Sequence, residues 1–166
     1  MNIETLRKRI EMQGFTGLSD TEIRQINYPL RLAPAICLSW TTLGVVLGSP
    51  LILAALVPFA LAGALFEGHP FDAIYNYGLR HFDRRPELPA YGPPRRSACL
   101  MATAMILMTA AAFYCGLAVA GYILGTVMMT MASINVITGF CVPSFFYRVL
   151  FGRMQAVNDH GDKIMS

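Results

Sequence analysis

The sequence predicts an all-α polytopic membrane protein, with four transmembrane helices arranged as two hairpins. Three observations predict it. Hydrophobic residues make up 55% of the 166 residues and charged residues only 14%, where a soluble domain carries about 25% charged residues. Two long tracts, from Leu32 to Phe66 and from Ser97 to Tyr147, contain no Asp, Glu, Lys or Arg. A crossing helix needs about 20 mostly apolar residues, so each tract is long enough for two. A helix that is apolar all round belongs in a membrane or a large core, and this chain is too short for a large core. Finally, the 13 basic residues fall in three segments: Arg7, Lys8, Arg9, Arg24 and Arg31; then Arg80, Arg84, Arg85, Arg95 and Arg96; then Arg148, Arg153 and Lys163. With four spans these segments share one face, which the positive-inside rule makes the cytoplasm.

Residues 1–31 read as a cytoplasmic arm. Ile3, Leu6 and Ile10 repeat at helical spacing, with Arg7, Lys8, Arg9 and Glu11 around the other sides. Ser19-Asp20-Thr21-Glu22 fits a capping box, opening a second helix that carries Ile23 and Ile26 and ends before Pro29. Basic amphipathic helices beside a membrane lie on lipid headgroups, so membrane lipids are the expected contact. The arm is polar and charged throughout, and no cleavable signal segment is expected in it.

Residues 32–151 read as the four-helix membrane domain, with spans at about 32–48, 50–66, 97–116 and 120–144. Gly48-Ser49-Pro50 breaks the first tract and Gly116 to Gly121 the second. Gly44 with Gly48, and Gly121 with Gly125, sit four apart and permit close helix approach. Asn135, the most polar side chain in a span, is expected to hydrogen-bond between helices. The cytoplasmic loop 67–96 mixes aromatic, apolar and charged residues. Phe71, Ile74, Tyr75 and Phe82 suggest a short interfacial helix, opened by Pro70 and ended by Gly78. Pro86, Pro89, Pro93 and Pro94 then make a stiff return, and Arg95 and Arg96 anchor the third span. Residues 152–166 read as a cytoplasmic tail.

The spans hold no Asp, Glu, Lys, Arg or His. Pumps, ion-coupled carriers and voltage sensors need such groups, and a haem held by two histidines inside the bundle is excluded for the same reason. His69 and His81 lie in the loop near Glu67, Asp72 and Asp83, at no metal-ligand spacing, and read as structural. Sulfur offers more. Cys37, Cys99 and Cys141 fall near the inner ends of their spans and Cys115 near an outer end. The inner group faces a reducing compartment, where free thiols are expected, and three thiols at one depth can ligate a soft metal. Met101, Met105 and Met108 share one face of the third span, while Met128, Met129 and Met131 lie midway along the fourth. Thioethers with thiolates suit Cu(I), although methionine is also the adaptable filler of cores. The candidate metal ligands are therefore Cys141, Cys99, Cys37, Met105, Met108 and Met128. No resident cofactor is predicted, and nucleic acid is not an expected partner.

Three stretches form a recognisable set: His69-Pro70-Phe71-Asp72-x2-Tyr75-Asn76, Pro94-Arg95-Arg96-x-Ala98-Cys99, and Asn135-x3-Gly139-Phe140-Cys141-Val142-Pro143-Ser144. Over about residues 24–153 they resemble a family of small bacterial integral membrane proteins classed as a domain of unknown function. The resemblance implies a bacterial cytoplasmic membrane protein. It also implies that many members end the last motif with a second cysteine, as dithiol chemistry needs. Here Ser144 stands there, so Cys141 lacks an adjacent resolving thiol, and Pro143 is expected to interrupt the helix.

The leading functional expectation is a non-enzymatic accessory or anchoring subunit that packs against a larger membrane complex. Its contacts would be His69, Phe71, Asp72, Tyr75, Asn76, Arg95 and Arg96. Thiol-based redox or soft-metal handling at the cytoplasmic face, through Cys141 with Cys99 or Cys37, is the alternative. A passive pore for a small solute, lined by Asn135 and the span threonines, is the third.

Overall fold

A computed structural model describes residues 2–15, 17–80 and 86–150, with the backbone alone at Leu79. Every regular element among them is helical. The order is α1 (Ile3–Met12), α2 (Asp20–Ile26), a 3-10 turn (Pro29–Arg31), α3 (Leu32–Val46), α4 (Pro50–Leu65), α5 (Pro70–Ile74) running into a π-turn (Tyr75–Leu79), α6 (Pro93–Tyr114) and α7 (Ala118–Thr138). Residues 142–150 are helical again. His81, Phe82, Asp83, Arg84, Arg85, Arg153, Lys163 and the tail 152–166 lie outside the described residues.

The four long helices pack in a ring: α3 on α4, α4 on α6, α6 on α7, and α7 back on α3. Three stretches are long and apolar enough to cross a membrane: Asp20–Val46, Pro93–Tyr114 and Ala118–Thr138. The fourth candidate is Pro50–Leu65 with its continuation Pro70–Gly78, bent by 85°. The chain is thus a polytopic all-α protein with three to four crossing helices. The 16 residues of α4 reach about 24 Å, short of a hydrocarbon core of about 30 Å. The bent continuation lies across the end of the bundle.

The turns follow the predicted breaks. Gly48 takes φ +56°, and Ser49 then caps α4 by accepting the Ile52 N–H, with Pro50 at the first helical position. Gly116, at φ +76°, turns α6 into α7. Ser19 and Glu22 form the expected capping box.

Two boundaries differ from expectation. Helix α6 starts at Pro93, four residues before 97. Pro93 and Pro94 occupy the first turn, where a missing N–H loses no helical bond, so Arg95 and Arg96 lie inside the helix. Helix α7 stops at Thr138 rather than 144, because Gly139 adopts the left-handed φ of +70°. Cys141 therefore sits in a break between helices, and Pro143 lies in the first turn of the next helix instead of interrupting one.

Small residues set the helix spacing. A Cβ on Gly125 would stand 2.5 Å from Val45 of α3, one on Gly44 2.7 Å from Leu53 of α4, and one on Gly121 2.7 Å from Phe113 of α6. The apolar face of the arm, expected on lipid, is covered by protein. Leu6, Ile10, Phe15, Ile23 and Ile26 share a core with Tyr75, Leu88 and Tyr91.

Basic side chains close this end of the bundle. The last carbonyls of a helix lack partners inside it and carry the negative end of its dipole. At the end of α7, Arg9 donates to Thr138 O. Arg31 donates to Val136 O at 3.1 Å and Ile137 O at 2.8 Å. Arg96 does the same for α4, reaching Ala64 O at 3.0 Å and Leu65 O at 2.8 Å.

Candidate functional site: a sulfur-lined cavity at the arm end

Early in α6, Arg95 turns inward and is only 5% exposed. A buried guanidinium is costly unless its donors are used. Its Nη1 donates to Gln13 Oε1 at 2.6 Å and its Nη2 to Leu30 O at 2.8 Å. The cation lies 4.5 Å from the Tyr91 ring centroid and 5.4 Å from that of Phe15. Among the described residues it makes no ion pair. Gln13 also donates to Gly139 O at 2.9 Å, so one arm side chain joins the start of α6 to the end of α7.

Tyr91 extends the network by donating its hydroxyl to Asp72 Oδ2. Burial pushes the Asp72 carboxyl above its ordinary range, with Arg95 and the Tyr91 hydrogen bond acting against that shift. The other oxygen, Oδ1, is buried without a hydrogen-bond partner among the described residues. Helix α5 is held by ring packing: Phe71 stacks on Phe59 at 5.1 Å and on Trp40 at 6.4 Å.

His69 caps α5. Its Nδ1 accepts the Phe71 N–H at 3.3 Å, and its Nε2 lies 3.8 Å from Cys37 Sγ. Burial first, and the Arg95 charge second, push its pKa down to about 4, so the ring is neutral at neutral pH. Because Nδ1 accepts, the ring proton is assigned to Nε2 and faces the sulfur. Gly63 makes room for this arrangement: a Cβ there would stand 2.6 Å from His69 Cδ2 and 3.2 Å from Cys99 Sγ.

These groups border a cavity of about 200 Å³. Cys37 and Thr41 reach it from α3; Cys99, Met101 and Met105 from α6; Met128, Met129, Met131 and Asn135 from α7. Cys141, His69, Tyr91, Arg95 and Gln13 line it as well. Cys99 is close enough to both Cys37 and Cys141 for their charges to interact, and Arg95 acts on Cys99 and Cys141. Thr41 is distinctive. Thr42, Thr103, Thr109, Thr126, Thr130 and Thr138 each donate to the carbonyl four residues earlier, at 2.7–2.8 Å. Thr41 Oγ1 is buried in the cavity wall with no hydrogen-bond partner among the described residues.

The structure thus brings together Cys37, Cys99, Cys141, Met105 and Met128 from the sequence candidates. Met108 is 51% exposed on the outer surface, and Cys115 is exposed at the far turn. His69, Phe71, Asp72, Tyr75 and Arg95 are buried within the chain. Asn76 Oδ1 accepts the Leu88 N–H at 3.1 Å. Ser144 donates to Pro94 O at 3.0 Å. Among the described residues no three His, Cys, Asp or Glu side chains are grouped to hold a metal ion. Gln13, Gly63 and Tyr91 were not singled out from the sequence, and Thr41 stood there only as one of the span threonines. Their roles depend on which helix faces meet, and only the Tyr-Gly-Pro-Pro run beside Arg95 hinted at one of them.

With fold and cavity described, the class is plain: a polytopic helical protein with a thiol-bearing cavity at the arm end of its bundle. The chain belongs to the family described as Domain of unknown function (DUF4395), which matches residues 27–151. No curated protein and no solved structure matches it. The match begins after α1 and α2, so the arm that supplies Gln13 lies outside it.

His69 gives a pH signature. Its ordinary value is 6.5 and its folded value about 4. Between these the unfolded chain binds a proton that the folded chain does not, so its stabilising contribution is complete above pH 6.5 and is lost as pH falls towards about 4. Asp72, shifted upward, acts in the opposite sense. Melting curves of the detergent-solubilised protein and its His69→Gln variant separate the two. The native protein's Tm is expected to fall more steeply between those values, and equal slopes would refute the assignment.

Proposed function

We propose that the protein is a multi-pass thiol protein of the bacterial cytoplasmic membrane. Its working site is the cavity at the arm end, where Cys99 with Cys37 and Cys141 receives a soft, sulfur-seeking ligand. The supporting observation is convergence: three cysteines from separate segments border one cavity beside a neutral His69 and a buried Arg95. Thr41 adds a hydroxyl with no partner among the described residues at the same wall. Orientation rests on the positive-inside rule. The arm, the connection between α4 and α6 and the described segment after α7 gather at one end, which supports a reading with cytoplasmic termini and the cavity on the reducing side.

The test is native-state alkylation. Membranes are treated with N-ethylmaleimide and each cysteine is quantified by mass spectrometry. Cys99 and Cys141 are expected to react without denaturation. Thiols that react only after unfolding would sink the reading. Reporter fusions at residue 49 and at both termini check the orientation.

A further inference from the structure

Building on that reading of the cavity, we infer that its ligand is a soft monovalent cation, Cu(I), bound by the thiolates of Cys37 and Cys99 with thioether donation from Met105 and Met128. The first support is donor chemistry. Three thiols and five thioethers border the cavity, out of four cysteines and ten methionines in the whole chain. Among the described residues no carboxylate lines it, so hard cations find no charged oxygen ligand. A four-ligand zinc site would require a His/Cys cluster, and none forms among the described residues. Cu(I) accepts soft sulfur donors, and thioethers serve it where they would not serve zinc.

The second support is placement. Cys37, Met105 and Met129 pack against the core cluster that holds Met128, and Cys99 packs against the adjoining arm cluster. Cys99 lies within electrostatic reach of Cys37. His69 Nε2, 3.8 Å from Cys37 Sγ, orients that sulfur. The unpartnered Thr41 hydroxyl, one helical turn along α3 from Cys37, faces the same space.

Charge is the third. Binding exchanges two thiol protons for one Cu⁺, giving a bis-thiolate centre of net charge −1 and two released protons, with no electron transferred. A buried anion needs a compensating charge. Arg95 lies in the same wall with no ion-pair partner among the described residues, within electrostatic reach of Cys99. Its charge acts on Asp72 as well as on Cys99 and Cys141, so positive charge is already in place beside an anionic centre.

The experiment titrates the reduced, detergent-purified full chain anaerobically with Cu(I) against bathocuproine disulfonate, a chromophoric Cu(I) chelator. One Cu(I) per chain is expected. Cys37→Ser and Cys99→Ser should each weaken binding by more than about a hundredfold, beyond the range typical of outer-sphere partners. Met105→Leu and Met128→Leu, which conserve volume and should keep the fold, should each weaken it about tenfold. Cys115→Ser should change nothing, and copper-edge absorption should show an all-sulfur first shell. Chelator removing all copper, or binding unchanged in both Met→Leu variants, would overturn the site. Thiols that alkylate in the native state while copper fails to bind defeat this inference alone. Thiols inert to alkylation defeat the thiol reading beneath it.

Discussion

Replacing Arg95 by leucine is expected to loosen the arm end of the bundle and lower stability by roughly 2–4 kcal/mol. The guanidinium satisfies two buried acceptors, Gln13 Oε1 and Leu30 O, and lies against two aromatic rings. An acceptor left buried without a donor costs about 1–3 kcal/mol, and a desolvated cation–π contact contributes up to about 2 kcal/mol. Removing a buried charge returns part of its desolvation cost, so the net loss is smaller than the sum. In a domain of this size that corresponds to a Tm lower by roughly 5–15 °C. Arg95→Lys should fall between, since an ammonium keeps the charge but not the planar fork that meets two acceptors. Arg80→Leu is the comparison. Its pair with Glu87, at 2.8 Å, is exposed on the Glu side, and such pairs contribute about 0–1 kcal/mol. Equal melting temperatures for Arg95→Leu and Arg80→Leu would show that the buried cation organises nothing.

How much of this was legible in the sequence depended on whether the signal was local. The uncharged tracts and the Gly48-Ser49-Pro50 break are properties of consecutive residues, and the helices follow them. The two misplaced boundaries involve residues with two readings. Pro93-Pro94 can extend a loop or open a helix, and Gly139 can sit within a membrane helix or end one, with only its φ deciding. The depth of Cys37, Cys99 and Cys141 was readable from position along each span, but their convergence depends on helix rotation about its own axis. The aromatic loop looked like a partner surface because its apolar residues had no visible cover. The 85° bend at the end of α4 folds His69, Phe71 and Asp72 back onto the spans. This shifts weight from anchoring towards the interior.

The same geometry explains why the arm matters to a site that its sequence does not obviously touch. Gln13 lines the cavity, binds Arg95 and reaches Gly139 O, beside the break that holds Cys141. Arg9 caps α7 one residue earlier. The family match starts at residue 27, so the spans and the cysteines lie within the matched region, while this cover lies outside it.

Deleting residues 2–18 is therefore expected to open the cavity to water without removing any of its cysteines. The deletion strips Leu6, Ile10 and Phe15 from the arm core, each contributing about 1.5–3 kcal/mol of burial, and it removes Gln13 from the Arg95 network. The spans keep their ring of contacts, and Arg31 still caps Val136 and Ile137. A charged, membrane-impermeant maleimide applied from the arm side should label Cys141 at least about tenfold faster than in the intact chain, which corresponds to about 1.4 kcal/mol of lost closure. Gln13→Ala with Arg9→Ala should give a smaller gain in the same direction, because the apolar seal persists. Labelling of Cys115, at the opposite turn, should not change, and that separates opening of the cavity from general unfolding. If Cys141 labels no faster while the deleted chain remains monodisperse, access runs between the helices past Met101, itself 47% exposed and a lining residue, and the arm only braces the bundle.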